Sequence, residues 1–191
     1  MLTEPCRFYV SCLFIVAVFC AEVSAQSGSF LSVQEFQRRA FPTVEAQAGT
    51  LWLGPEQKKV AKQIINHDYA RLRVRYWFHQ QRSAWVLDEI GKEQAITLGV
   101  VVENQRIVDV MVLEYRESRG GDIRHGFFTK QFQGLGLRGD QEKPTLDGNI
   151  DGITGATLSV RATKKIATLA LFFHRQVLMN EAAGGQFQAQ H

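Results

Sequence analysis

The sequence predicts an α+β domain, an antiparallel sheet packed against helices, and three observations carry that prediction. Residues 85–89, 95–103 and 107–115 are β-branched and apolar runs, with Asn104-Gln105-Arg106 as the turn of a hairpin. From Gly155 to about Met179, Ala162, Ile166, Leu169, Ala170, Phe173 and Val177 make one apolar stripe, the pattern of a long amphipathic C-terminal helix packed on the sheet. No internal repeat and no dividing linker interrupts the chain after its first 25 residues, so one domain is expected over residues 26–180.

In chain order, Ser32-Val33-Gln34-Glu35 has the spacing of a capping box, and Phe36 and Ala40 continue an apolar side until Pro42, which predicts a short helix over 33–41. Gly54-Pro55 opens a second helix that runs to about Asp68. Its Val60, Ala61, Ile64 and Ile65 share one face, and Lys58, Lys59 and Lys62 take the other. Arg71, Arg73 and Arg75 alternate with Leu72, Val74 and Tyr76, as in a half-buried strand whose arginines form a solvated face. After the hairpin, Phe127, Phe128 and Phe132 stand at helical spacing, and residues 134–152, dense in Gly, Asp, Asn and Pro, form a loop. In the long helix Arg161, Lys164, Lys165 and Thr168 lie away from the stripe, and residues 181–191 form a frayed, flexible tail.

Composition bounds the function. With 45% hydrophobic residues, 16 Gly and 4 Pro, the 191-residue chain is neither collagen-like nor disordered. Residues 1–25 read as a secretory signal peptide. Arg7 closes a short polar region, Phe8 to Ala21 is apolar, and Val23-Ser24-Ala25 offers a cleavage site before Gln26. The apolar stretch falls short of the roughly 18 residues that span a bilayer, so cleavage is expected; a retained leader would anchor the protein instead. All three cysteines, Cys6, Cys12 and Cys20, lie in that leader, which removes disulfides, iron–sulfur clusters and thiol nucleophiles from the mature domain. Losing Arg7, Glu4 and Glu22 leaves 21 basic against 17 acidic residues, too mild an excess to argue for nucleic acid.

Several motifs fail on context. Gly134-Leu135-Gly136-Leu137-Arg138-Gly139 satisfies GxGxxG, yet a dinucleotide site needs a strand before it and a helix after it. The run from Asp147 to Gly152 opens like a calcium loop, but its twelfth position is Leu158 where a glutamate should close the site. The five histidines show no paired ligand spacing, so no metal site is expected.

One segment remains, Asp151-Gly152-Ile153-Thr154-Gly155-Ala156-Thr157-Leu158-Ser159, where the glycine-rich loop enters the long helix. On composition alone it reads as a helix start with Thr154 as N-cap and Thr157 as an ordinary first-turn residue. The same small residues, with the unpaired amides of a first helical turn, also make a phosphate seat beside an esterifiable hydroxyl.

At these residues the sequence resembles the FMN-binding domain family, which includes the flavinylated exported subunits of the sodium-pumping NADH:quinone reductase and of the related ferredoxin-oxidising complex. The family pattern of Asp, two variable residues, Ser or Thr, then Gly-Ala-Thr is met in order by Asp151, Thr154, Gly155, Ala156 and Thr157. Tyr115 to Gly120 is similar to the family segment after the central hairpin, and Phe128 to Gly134 to its Phe-x-x-Gln-Phe-x-Gly segment. Val160 departs from the Ser or Thr found there in many members.

The resemblance implies FMN joined to Thr157 through a phosphoester, placed there by a separate flavin transferase. It implies close-approach backbone at Gly155 and Ala156, Asp151 as loop organiser and transferase recognition residue, and Glu117 and Ser118 as flavin-side contacts. The expected function is an extracytoplasmic, periplasmic electron carrier working with a membrane redox protein, and no catalytic residue of its own is assigned. A secreted module that binds an anionic small molecule without redox chemistry is the alternative, and a flavin reductase with its own substrate is a third reading.

Overall fold

The computed structural model describes residues 28–188, so the leader read at 1–25 and the cleavage point before Gln26 lie outside the described residues. The elements are β1 (Gly28–Ser29), α1 (Val33–Ala40), β2 (Gln47–Trp52), α2 (Pro55–Ile65), β3 (Arg73–His79), β4 (Arg82–Ile90), β5 (Ala95–Glu103) and β6 (Arg106–Tyr115), followed by α3 (Gly126–Thr129), β7 (Leu137–Arg138), β8 (Thr145–Leu146) and α4 (Thr157–Gln188). Strands β2 to β6 form an antiparallel meander, and β1 closes the far edge against β6. The expected α+β class is therefore the observed one. Among the described residues no helix is long and apolar enough to cross a membrane.

Local chemistry explains the boundaries. Ser32 caps α1, its Oγ accepting the Glu35 amide at 3.1 Å. Pro55 stands in the first turn of α2, and Gln57 Oε1 accepts the Gly54 amide at 3.1 Å. That helix stops at Ile65, short of Asp68, because Asn66 takes a left-handed conformation that ends it. Asn104 and Gln105 both have positive φ, which makes the β5–β6 connection a two-residue hairpin turn. Strand β3 starts at Arg73, leaving Leu72 exposed, and its Arg73 and Arg75 face solvent as expected.

Helices cover both faces of the sheet. Ile166, Leu169 and Phe173 of α4 pack on Trp85, Leu87, Leu98 and Val100, and Phe36 and Ala40 of α1 pack on Ala84, Val101 and Leu113. Gly99 makes room for α1, since a Cβ there would collide with the Phe36 ring. Helix α4 is buried on more than its apolar stripe because α2 lies along its other side. Thr168, expected away from the core, is therefore only 7% exposed and returns its hydroxyl to the Lys164 carbonyl at 2.8 Å. The helix also runs on to Gln188, past the tail expected from residue 181, and no proline intervenes to stop it.

Two irregularities in β6 matter for the site. The register against β5 shifts at Val101/Val102 and again at Thr97/Leu98, so Val108 and Leu113 are extra residues on β6. Each shift reverses which side chains face α4. Tyr115 consequently joins Ile107, Val110 and Val112 on the α4 face, where simple alternation from Val112 would have turned it away.

Candidate functional site

The loop before α4 ends in a turn over Ile153–Ala156, closed by the Ala156 amide on the Ile153 carbonyl at 2.9 Å. Gly155 has φ of +80°, the conformation a type II turn requires at its third position. The helix begins after this turn, and Ala156 is its N-cap, its carbonyl accepting the Val160 amide at 2.9 Å. Thr154 is thus an exposed turn residue and not the expected cap, because the left-handed Gly155 delays the helix by two residues. An alanine cap has no side-chain oxygen, and among the described residues no acceptor meets the amides of Thr157, Leu158 and Ser159. Those three donors stand at the positive end of a helix 32 residues long.

The hydroxyls of this turn have different surroundings. Thr157 is exposed. Ser159 is 4% exposed and hydrogen-bonds the Tyr115 hydroxyl at 2.9 Å, turned toward the sheet as its helical rotation from Thr157 requires. Tyr115 donates to the Arg119 carbonyl and so ties the chain after β6 to the start of α4. Burial raises its pKa above the ordinary phenol value, with Ser159 working the other way. Gly120, at φ of +86°, lets that chain pass close by: a Cβ there would lie 2.9 Å from the Tyr115 hydroxyl and 3.1 Å from the Ala156 methyl. Ala156 must be small for the same reason.

Glu117 has a role the sequence did not show. Its Oε1 accepts the backbone amides of Lys92, of Glu93 at 2.7 Å and of Gln94 at 3.0 Å, gathering the whole β4–β5 turn onto one oxygen. Partial desolvation works against the charged form, but the three amides and the Lys92 charge prevail and hold the carboxyl below its ordinary range. The turn so held brings Lys92 and Glu93 to the rim of a cavity of about 590 Å³, whose other walls include Glu117, Ser118, Arg119 and the segment from Gly155 to Ser159.

The loop leading into the site is held from outside its own sequence. Gln131 Oε1 accepts the Asp151 amide at 2.7 Å, and Asp147 accepts the Gly136 amide at 2.8 Å while pairing with Arg106. The Gly136 amide, then Arg106, lowers the Asp147 pKa. Asp147, first residue of the calcium-like run, therefore acts as a loop latch, and the GxGxxG run contains β7 and is followed by β8 instead of a helix. The Asp151 carboxylate makes no hydrogen bond among the described residues and is exposed, so the loop-organising role expected of it falls to Gln131.

The structure thus places Thr157, Gly155, Ala156, Glu117 and Ser118 around one cavity, with Asp151 and Thr154 on the loop outside its walls. Lys92, Glu93, Arg119, Tyr115 and Gln131 were missed as members of the site. Tyr115, Arg119 and Gln131 lie in the two segments that carry the resemblance and so had a signal; Lys92 and Glu93 reach the site only through the Glu117 latch. The site can receive a phosphate. The three residues with unpaired amides are among its lining residues, Thr157 with its exposed hydroxyl is one of them, and the volume lies in the range of about 300–1,000 Å³ usual for small-ligand sites.

Fold and site together define a small α+β domain with an anion-compatible cleft at the entrance to its longest helix. Residues 91–171 match the family model of the FMN-binding domain, which supports a flavin-binding protein. The match begins in the turn held by Glu117 and ends within α4, and so takes in every residue placed around the cleft. No curated protein matches the chain.

Proposed function

We propose that the protein holds FMN covalently, through a phosphoester on Thr157, and serves as an electron carrier outside the cytoplasm. The observation that carries the attachment site is the contrast within one helical turn: Thr157 is exposed at the cleft, while Ser159 is buried on Tyr115. A modifying enzyme has access to the first hydroxyl and not to the second. The amides of Thr157, Leu158 and Ser159 supply donors to the phosphate, and the positive helix end favours its charge. Gly155 supplies the turn that presents Thr157, and Ala156 leaves space for the Gly120 segment. Glu117 and Ser118 form the opposite wall, with Lys92 and Glu93 positioned there by Glu117. When bound, the flavin supplies one- and two-electron chemistry; the protein supplies its position and the electrostatics around it.

Covalent attachment suits an exported protein, because a tether keeps the cofactor at high effective concentration where a lost one is not replaced. The partners in this reading are a flavin transferase, for which the exposed Asp151 and Thr154 form a recognition surface beside the acceptor, and a membrane redox protein that gives or takes electrons. The test is the intact mass of protein made with an active flavin transferase. A gain of one FMN less one water, retained in denaturant, is expected, and unmodified protein under those conditions would count against the reading.

A further inference from the structure

Thr157 borders a second cavity, on the side of α4 that faces α2 and the β7–β8 loops, with a volume of about 530 Å³. Its charge differs from that of the first. The first balances Lys92 and Arg119 against Glu93 and Glu117, whereas the second is lined by Arg138, Lys143, Arg161, Lys164 and Lys165 with no acidic residue. Lys165 is neutralised by buried Glu89, its Nζ 2.8 Å from Oε1. Among the described residues the other four cations have no ion-pair partner. The nearby Glu142 pairs with Lys59 at 3.3 Å, and Asp140 accepts the Lys143 backbone amide at 2.7 Å. Ile64, Pro144, Leu146 and Val160 add apolar wall.

We propose that this second cavity is a binding site for a small organic anion with an apolar body, distinct from the flavin cleft and adjoining it at Thr157. Four uncompensated cations around one concavity favour a carboxylate, sulfonate or phosphate, and guanidinium groups bind such anions through paired hydrogen bonds. The aliphatic wall selects a ligand that also buries apolar surface, and the volume suits a small molecule. Arg161 lies one helical turn beyond Thr157 and Lys164 nearly two, on the same side of α4, so an anion held by them would share Thr157 as a wall with a group attached there. A small anionic reactant would meet the tethered cofactor at this place.

The test uses the full chain made without a flavin transferase, so it does not depend on attachment at Thr157. The probe is 2-naphthalenesulfonate, followed by calorimetry, with inorganic sulfate and uncharged 2-naphthalenemethanol as its two halves. The sulfonate should bind, and each half should bind roughly tenfold more weakly or worse. Arg161→Glu with Lys164→Glu should weaken the sulfonate by about tenfold or more, Arg161→Gln with Lys164→Gln should weaken it less, and Lys92→Glu in the other cavity should leave it unchanged. Absence of sulfonate binding, equal binding of either half, indifference to both double substitutions, or loss with Lys92→Glu would each overturn the proposal. Binding should persist in flavin-loaded protein; displacement by the attached flavin would show that the cavity is the flavin's own seat and would also overturn it.

Discussion

Glu117 holds the cleft together through one oxygen, and its consequences can be measured residue by residue. Glu117→Ala should raise amide exchange at Lys92, Glu93 and Gln94, corrected for intrinsic rates, by about tenfold or more, while Glu117→Gln, which keeps an acceptor oxygen, should restore part of the protection. The pH dependence follows from the lowered pKa. Because the folded carboxyl titrates below the ordinary value of 4.5, the latch contributes its full stability above that pH and loses it as pH falls through the folded value. Protection at the three amides should therefore survive at pH 5 and disappear in stronger acid. Thr157, Gly155 and Ala156 were legible through the resemblance, whose motif is a run of neighbouring residues, whereas composition alone made Thr157 an ordinary first-turn residue. The Glu117 partners were not, since they lie more than 20 residues away and the contact exists only once β4, β5 and β6 are in register.

At the scale of elements, the packing of α4 on the sheet includes a polar cluster around His174. Trp85 Nε1 donates to Ser83 Oγ at 2.7 Å, and the serine hydrogen finds its acceptor at His174 Nδ1, also at 2.7 Å. The neutral ring then carries its hydrogen on Nε2, which is buried without a partner. Burial lowers the His174 pKa from 6.5 to about 4. The unfolded chain therefore binds this proton first, so the His174 contribution is favourable above pH 6.5 and is lost as pH falls toward 4, by about 3 kcal/mol in all. Urea unfolding of the protein and of His174→Leu at pH 7 and pH 4.5 should show the stability difference between them moving in favour of the variant at the lower pH. On the opposite face, Gly99→Ala should cost about 1–3 kcal/mol in the same assay, because its Cβ meets the Phe36 ring. The stripe of α4 and the capping box of α1 were legible as helical periodicities. β2 was not, since Gln47-Ala48-Gly49-Thr50-Leu51-Trp52 is an edge strand paired on one side and has no alternating apolar pattern.

For the whole molecule, the family match covers residues 91–171, yet β5 pairs along its full length with β4, and the meander continues to β2. The preceding strands and helices thus complete a sheet and core that the matched segment shares. The α+β class was legible because the hairpin and the long helix each announce themselves locally. The depth at which α4 is buried depends on α2 docking from far along the chain, and no local pattern reports it. The proposed export makes its own prediction: protein recovered from outside the cytoplasm should begin at Gln26, and terminal sequencing that finds Met1 would contradict cleavage there.

The central claim, that Thr157 carries the flavin, is tested most directly by the intact mass of Thr157→Ala and Ser159→Ala proteins, each made beside the unaltered protein with an active flavin transferase. The account predicts one FMN less one water on the unaltered protein and on Ser159→Ala, and none on Thr157→Ala. Covalent FMN persisting on Thr157→Ala, or lacking from the unaltered protein, would contradict it.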